Sequence, residues 1–120
     1  MLAPLFPVPL EIFQADVEYK DFTVGDLLEP HPGVTVRSGK LNHPNQATGY
    51  RVEYGGRSIC YITDTEHPDY GRYPNILELL QGADLVFYDS MYTDGTYENY
   101  RGFGHSTWEE GVRLVKEAGG

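Results

Sequence analysis

The sequence predicts a layered α/β domain, a mixed β-sheet with helices packed against it, and three features carry that expectation. Alternating apolar residues run through Val34–Tyr61 and are interrupted by Gly55-Gly56, the pattern of antiparallel strands joined by a tight turn. An apolar helical segment, a glycine stop and a short apolar strand then follow over residues 75–88. The third feature is size: 120 residues, 40% of them hydrophobic, suit one domain with its own core.

The elements follow in chain order. Residues 2–10 contain Pro4, Pro7 and Pro9 and read as an extended arm, because proline fixes φ and removes ladder donors. Glu11 to Phe22 has loose strand character, closed by Val24-Gly25-Asp26. Val34 and Val36, then Tyr50, Val52 and Tyr54, fall on alternating positions, so residues 47–54 and 57–63 form a hairpin about the glycine pair. Asn75 to Gln81 carries Ile76, Leu77, Leu79 and Leu80 ahead of Gly82, which predicts a short helix leading into the strand Leu85-Val86-Phe87-Tyr88. Asp89 to Gly104, rich in Tyr, Gly, Asn and Asp, has no sustained period and reads as a long loop. Ser106-Thr107-Trp108-Glu109 matches a capping box, and Trp108, Val112, Val115 and Ala118 recur at helical spacing over about residues 107–118.

Composition narrows the function. Eighteen acidic against nine basic side chains give a net charge of −9, which disfavours a protein that neutralises many nucleic-acid phosphates. The single cysteine, Cys60, lies in the apolar run Ile59-Cys60-Tyr61-Ile62 and reads as a buried inert thiol; it excludes an intramolecular disulfide and a cysteine zinc cluster. The start has no basic region of a secretory signal, and no apolar run approaches the roughly 18 residues of a membrane span. A cytoplasmic protein without membrane attachment is expected.

The chemistry-bearing candidates sit where strands end. Asp64 follows Tyr61-Ile62-Thr63, and a carboxylate there can hold one metal ion, bridge two, or simply form an Asx turn. His43, before Pro44, also leaves a strand; paired with an aspartate it suits zinc, manganese or iron, and on its own it suits a surface loop. His105, in Gly102-Phe103-Gly104-His105-Ser106, either faces a ligand across glycines that permit close approach or merely precedes a helix cap.

Taken together, Leu41-Asn42-His43-Pro44, Gly49-Tyr50-Arg51-Val52-Glu53, Tyr61-Ile62-Thr63-Asp64-Thr65, Asp84 to Asp89 and Gly104-His105-Ser106-Thr107 resemble the second half of the metallo-β-lactamase superfamily. They are most similar to its phosphodiesterase branch, that of ribonuclease Z and the bacterial cyclic-phosphate phosphodiesterases. The resemblance implies about half of an αββα sandwich, a single partial domain over residues 1–120. It implies that His43 and Asp64 are metal ligands, with Asp64 bridging two ions, and that His105 assists proton transfer at the phosphate. Asp64 and His105 are thus the implied catalytic residues. Asp89 matches an acidic position beside the site. Tyr92, Tyr97 and Arg101 are candidate substrate contacts without a motif, and Glu66 and His67 are candidate neighbours facing the cleft.

The family's His-x-His-x-Asp-His cluster matches nothing in these residues, and its last metal-binding histidine is expected beyond Gly119. The complete fold is implied to hold two ions, zinc or alternatively manganese or iron. With His43 and Asp64 alone, metal binding is expected to be weak or absent in the isolated chain and turnover lacking, since catalytic zinc takes about three protein ligands. Among phosphodiesters, the net charge of −9 favours a small cyclic or aryl one over tRNA as the expected substrate. The uncovered sheet face of a half sandwich predicts a homodimer or a complementing chain, and a non-catalytic module acting through self-association is the alternative.

Overall fold

The computed structural model describes residues 15–68 and 73–119, so the proline-rich arm and residues 11–14 lie outside the described part. Five strands form one mixed sheet: β1 (Leu27–His31), β2 (Val34–Leu41), β3 (Ala47–Tyr54), β4 (Arg57–Ile62) and β5 (Leu85–Tyr88). Their spatial order is their chain order. The first four strands pair antiparallel, and β5 joins β4 in parallel after the helix α1 (Pro74–Leu80). Two further helices follow, α2 (Asp94–Tyr97), extended by a 3₁₀ turn at Glu98–Tyr100, and α3 (Trp108–Glu117).

The hairpin forms as its residues dictate: Tyr54 pairs with Arg57, and Gly55 and Gly56 take φ of 57° and 75° between them, the handedness that matches strand twist. In β4, Ser58, Cys60 and Ile62 point inward and Arg57, Ile59 and Tyr61 point outward. The inward side meets α1, whose Ile76, Leu79 and Leu80 join Leu41, Cys60, Ile62 and α3's Leu114 in the core. Gly39 and Gly49 lie opposite one another in β2 and β3. A Cβ on Gly39 would meet Leu79 at 2.9 Å and one on Gly49 would meet Ile62 at 2.8 Å, so the absent side chains are what let α1 settle on the sheet. The Cys60 thiol is fully buried and donates to the Leu79 carbonyl at 3.0 Å; burial pushes its pKa up, which fits an inert thiol.

The helices cover one face. On the other, Val52, Ile59, Tyr61, Leu85 and Phe87 are exposed and, by register, adjacent. The molecule is a slab of 46 × 38 × 21 Å, two layers thick. Among the described residues no helix is long and apolar enough to cross a membrane.

Several expectations are corrected. The described residues of the 11–22 segment are not a strand; the edge position is taken by β1, whose pairing with β2 shifts register between Leu28 and His31 beside its proline. The 89–104 stretch contains α2 and the 3₁₀ turn, because Arg113 grips Asp94 with two nitrogens at 2.7 and 3.0 Å and ties α2 to α3. The helix α3 is capped by Thr107, whose hydroxyl accepts from Glu110 N at 3.1 Å, and not by Ser106, which is buried and donates to the Tyr88 hydroxyl at 3.3 Å. Trp108 and Val112 are exposed, and it is Gly111 and Leu114 that face inward. A Cβ on Gly111 would meet the Tyr88 ring at 2.7 Å, so this helix too approaches its strand through a glycine.

Candidate active site

Strands β2, β4 and β5 run in the same direction, so the residues that leave them gather at one edge of the sheet. His43 follows β2, Asp64 follows β4 and Asp89 follows β5. His105 enters from the loop before α3. One donor atom from each of His43, Asp64 and His105 lies within 4.8 Å of the others.

Local structure holds each in place. His43 opens a turn in which Pro44 follows and Gln46 N donates back to the His43 carbonyl at 3.1 Å. Asn42 binds that turn to the Asp64 loop, since its side-chain amide donates to the His67 carbonyl at 2.9 Å while its own carbonyl accepts from Glu66 N at 2.9 Å. Asp64 has φ of 57°, a left-handed conformation that costs a non-glycine residue energy and that aspartate tolerates better than most. Gly104, at φ of 87°, lies against His43; a Cβ there would strike the imidazole, 2.6 Å from Nε2, so only glycine lets the two loops meet.

Asp89 is the hub of the hydrogen bonds around His105. Its side chain is 6% exposed, and one oxygen takes His105 Nδ1 at 2.8 Å. The carboxylate also accepts from the backbone N–H groups of Thr65, Met91 and Ser106, each at 3.3 Å. With Nδ1–H committed to a carboxylate, the other ring nitrogen, Nε2, is the one left to exchange a proton. His105 Nδ1 also lies 4.0 Å from an Asp64 oxygen. To act as a ligand through that nitrogen His105 must give up Asp89, whereas as a proton carrier it keeps it.

The remaining candidates have other tasks. Glu66 accepts from Gly102 N at 2.8 Å and Gly104 N at 3.4 Å, bracing the loop that carries His105. Tyr97 is 4% exposed and packs in the interior, where its hydroxyl accepts from His67 N at 3.1 Å. Arg101 pairs with Glu98 at 2.6 Å and lies over the Tyr97 ring at 5.2 Å. Tyr92 stands edge-on to His105, with ring centroids 6.3 Å apart. Neither Asn42 nor the bracing by Glu66 was anticipated. Asn42 lay in plain view beside His43, but nothing in one-dimensional spacing shows a side chain reaching across to residues 66 and 67.

His67 stacks on Tyr97 at 4.0 Å, and its Nε2 is buried with no hydrogen-bond partner among the described residues. Burial therefore pushes its pKa below 6.5. A histidine depressed in the fold contributes stability above its unfolded pKa and loses it as pH falls from about 6.5 through the folded value. His67→Phe keeps the stack and removes the titration. Urea denaturation at a series of pH values should show wild type losing stability relative to this variant below about pH 6.5; a constant difference from pH 5 to 8 would contradict the assignment.

These residues belong to a recognisable line of proteins. A family model described as "Beta-lactamase superfamily domain" matches residues 7–120. Ribonuclease Z of Brevibacillus brevis is 38% identical over 64 residues, which are 53% of this chain and 19% of that protein. Ribonuclease Z of Methanothermobacter thermautotrophicus is 28% identical over 90 residues, 74% of this chain and 27% of that protein. The chain thus spans about a fifth to a quarter of the length of these relatives. Among solved structures, the metallo-beta-lactamase fold protein YhfI of Bacillus subtilis superposes with a TM-score of 0.64 at 26% identity, over 82% of this chain and 37% of that one. The short form of human tRNase Z gives a TM-score of 0.61 at 23% identity, over 75% of this chain and 34% of that one, a likeness of fold. With nearly its whole length matched and its sheet and helices superposing on solved members of the fold, the chain belongs to the beta-lactamase superfamily and has a metallo-beta-lactamase-like fold.

Proposed function

We propose that this chain contributes to the hydrolysis of phosphodiester bonds at the edge where His43, Asp64 and His105 meet, and the observation that carries the reading is that convergence together with the Asp89–His105 contact at 2.8 Å. Its relatives named Ribonuclease Z are consistent with that chemistry. The His43 imidazole and the Asp64 carboxylate offer nitrogen and oxygen donors that suit zinc, with manganese and iron as alternatives. His43 and Asp64 hold the cation. When bound, it supplies Lewis acidity, offsetting charge on the phosphate oxygens and making water more acidic. Asp89 keeps the Nδ1 proton of His105 in place, so Nε2 takes up the proton that the attacking water releases and passes it to the departing oxygen as the P–O bond breaks, which returns the ring to its neutral form. The N–H groups of Gly102 and Gly104 are already taken by Glu66, which leaves charge neutralisation to the cation. The net charge of −9 favours a small phosphodiester over a polynucleotide.

Zinc titration followed by thermal unfolding, with turnover of bis(4-nitrophenyl) phosphate in parallel, tests this. Two motif ligands bind weakly, so the stabilisation should need zinc in excess, vanish with a chelator and vanish in Asp64→Ala. In His105→Ala it should persist, with any turnover cut by about 10²–10⁴-fold. Zinc stabilisation that survives in Asp64→Ala would refute the site.

The exposed row of Val52, Ile59, Tyr61, Leu85 and Phe87 favours a second component to this reading, self-association. Leaving each large apolar side chain in water forfeits about 1.5–3 kcal/mol. A second copy placed by two-fold symmetry covers the same row on both partners. Sedimentation at micromolar concentration should give a mass above 13.5 kDa that rises with concentration; a constant 13.5 kDa would exclude it.

A further inference from the structure

We propose that Tyr92, Tyr100 and Phe103 form a stacking wall that receives a planar aromatic group carried by the phosphate ester, next to the proton-carrying His105. The proposal rests on the phosphodiester reading and adds a substrate class to it. The rings form an unbroken line outward from the candidate metal site. His43 stands edge-on to His105 at 6.1 Å and 78°, and His105 edge-on to Tyr92 at 6.3 Å and 77°. Tyr92 then stacks on Tyr100 at 4.5 Å with their planes 5° apart, and Tyr100 meets Phe103 edge-on at 6.3 Å. These are the offset and edge-to-face arrangements that aromatic rings prefer, so each ring fixes the next.

The outer end of the line is open. Tyr100 is 43% exposed and Phe103 is 65% exposed. Phe103 is nevertheless held firmly: its two neighbouring residues, Gly102 and Gly104, both donate their N–H groups to Glu66, and Gly104 lies against His43. An apolar ring kept in water on a braced loop, one residue from the contact with His43, is a pre-organised surface for another ring. Stacking also suits this chain's charge. A protein with twice as many acidic as basic groups gains little from attracting phosphates at long range, whereas a π-face binds an uncharged ring regardless of that balance. The aromatic group has two sources, a simple aryl ester or a nucleobase, and both present the same face.

The 120-residue chain with zinc, titrated by NMR with methyl phosphate, phenyl phosphate and adenosine 5′-monophosphate, tests the wall. Phenyl phosphate or adenosine 5′-monophosphate should bind about ten-fold or more tightly than methyl phosphate, with ring-proton shifts at Tyr100 and Phe103. A preference confined to phenyl phosphate assigns the aryl source, and a stronger preference for the nucleotide assigns the nucleobase. Phe103→Ala should bring the aromatic and methyl affinities together, and Phe103→Leu, which keeps an apolar side chain, should recover only a minor part of the difference. Equal affinities for all three ligands in the unmodified chain would overturn the wall and leave the phosphodiester reading standing. Failure of every phosphate to bind would overturn that reading, and the wall with it.

Discussion

On the proposed phosphodiester reading, Asp89→Asn is expected to lower any turnover by about 10²–10⁴-fold, the scale of effect when a histidine is held in the wrong tautomer. The carboxylate takes His105 Nδ1 at 2.8 Å and three backbone N–H groups at 3.3 Å. An amide has one acceptor oxygen and one NH₂ donor. With its oxygen turned to Met91 N and Ser106 N, its NH₂ faces His105 Nδ1, which must then accept, so the imidazole proton moves to Nε2. The neutral ring loses the lone pair on the nitrogen that is to carry the proton. Thr65 N meanwhile loses its acceptor, a cost of about 1–3 kcal/mol, so the variant should fold with reduced stability. Nitrogen-15 shifts of the His105 ring read the tautomer directly, whether or not turnover is measurable. A ring that remains protonated at Nδ1 in the variant would contradict the role given to Asp89.

The second large effect is on stability. Arg51→Ala should cost about 1.5–3 kcal/mol, the range for hydrogen bonds made by a charged group, because the Leu79 and Gln81 carbonyls lose their charged donor while Glu53 keeps Arg37 at 2.7 Å. The Arg51 side chain is 10% exposed. One of its nitrogens donates to the carbonyls of Leu79 at 2.6 Å and Gln81 at 2.7 Å, and another to Glu53 at 2.8 Å. The guanidinium therefore closes the C-terminal end of α1, whose last carbonyls have no partner within the helix, and anchors that end to β3. The favourable interaction of a cation with the negative end of a helix adds to it. Arg51→Lys should recover part of the loss, because a single ammonium cannot span both the helix end and Glu53 in the way a planar fork does. Urea denaturation measures both; a loss below about 1 kcal/mol for the alanine variant would place Arg51 among ordinary surface residues.

What the sequence made legible was set by whether the signal was local. The β3–β4 hairpin, α1 and β5 each carry their own pattern within a few residues: strand alternation around a glycine pair, an apolar helical face, a short apolar run. The four-residue α2 carries only the reciprocal Thr93–Thr96 cap, with no apolar face to announce it, and Arg113 from a different element ties it down. The α3 cap was displaced by one residue because Ser106 and Thr107 are interchangeable as caps in one dimension, and only the burial of Ser106 beneath the Tyr88 hydroxyl separates them. Of the candidate site, the sequence made legible the positions of His43, Asp64, Asp89 and His105 at strand ends and in the loop before α3. The tasks of Glu66 and Arg101 were not, because they depend on which partner each charged group reaches in space.

The sheet's spatial order, the same as its chain order, also predicts a sequence in time. Pairing β2 with β3 and β3 with β4 closes only short loops, and this alone brings the end of β2 beside the end of β4, with His43 and Asp64. Asp89 and His105 arrive later, because the β4–β5 pairing joins Ile59 to Leu85 across a helix and needs a larger loop closed first. The half of the site that would grip a cation is thus assembled by low-contact-order steps, ahead of the half that would move a proton. Pulse-labelled hydrogen exchange reads that order as protection in β2–β4 before β5, and simultaneous protection of all four strands would contradict it.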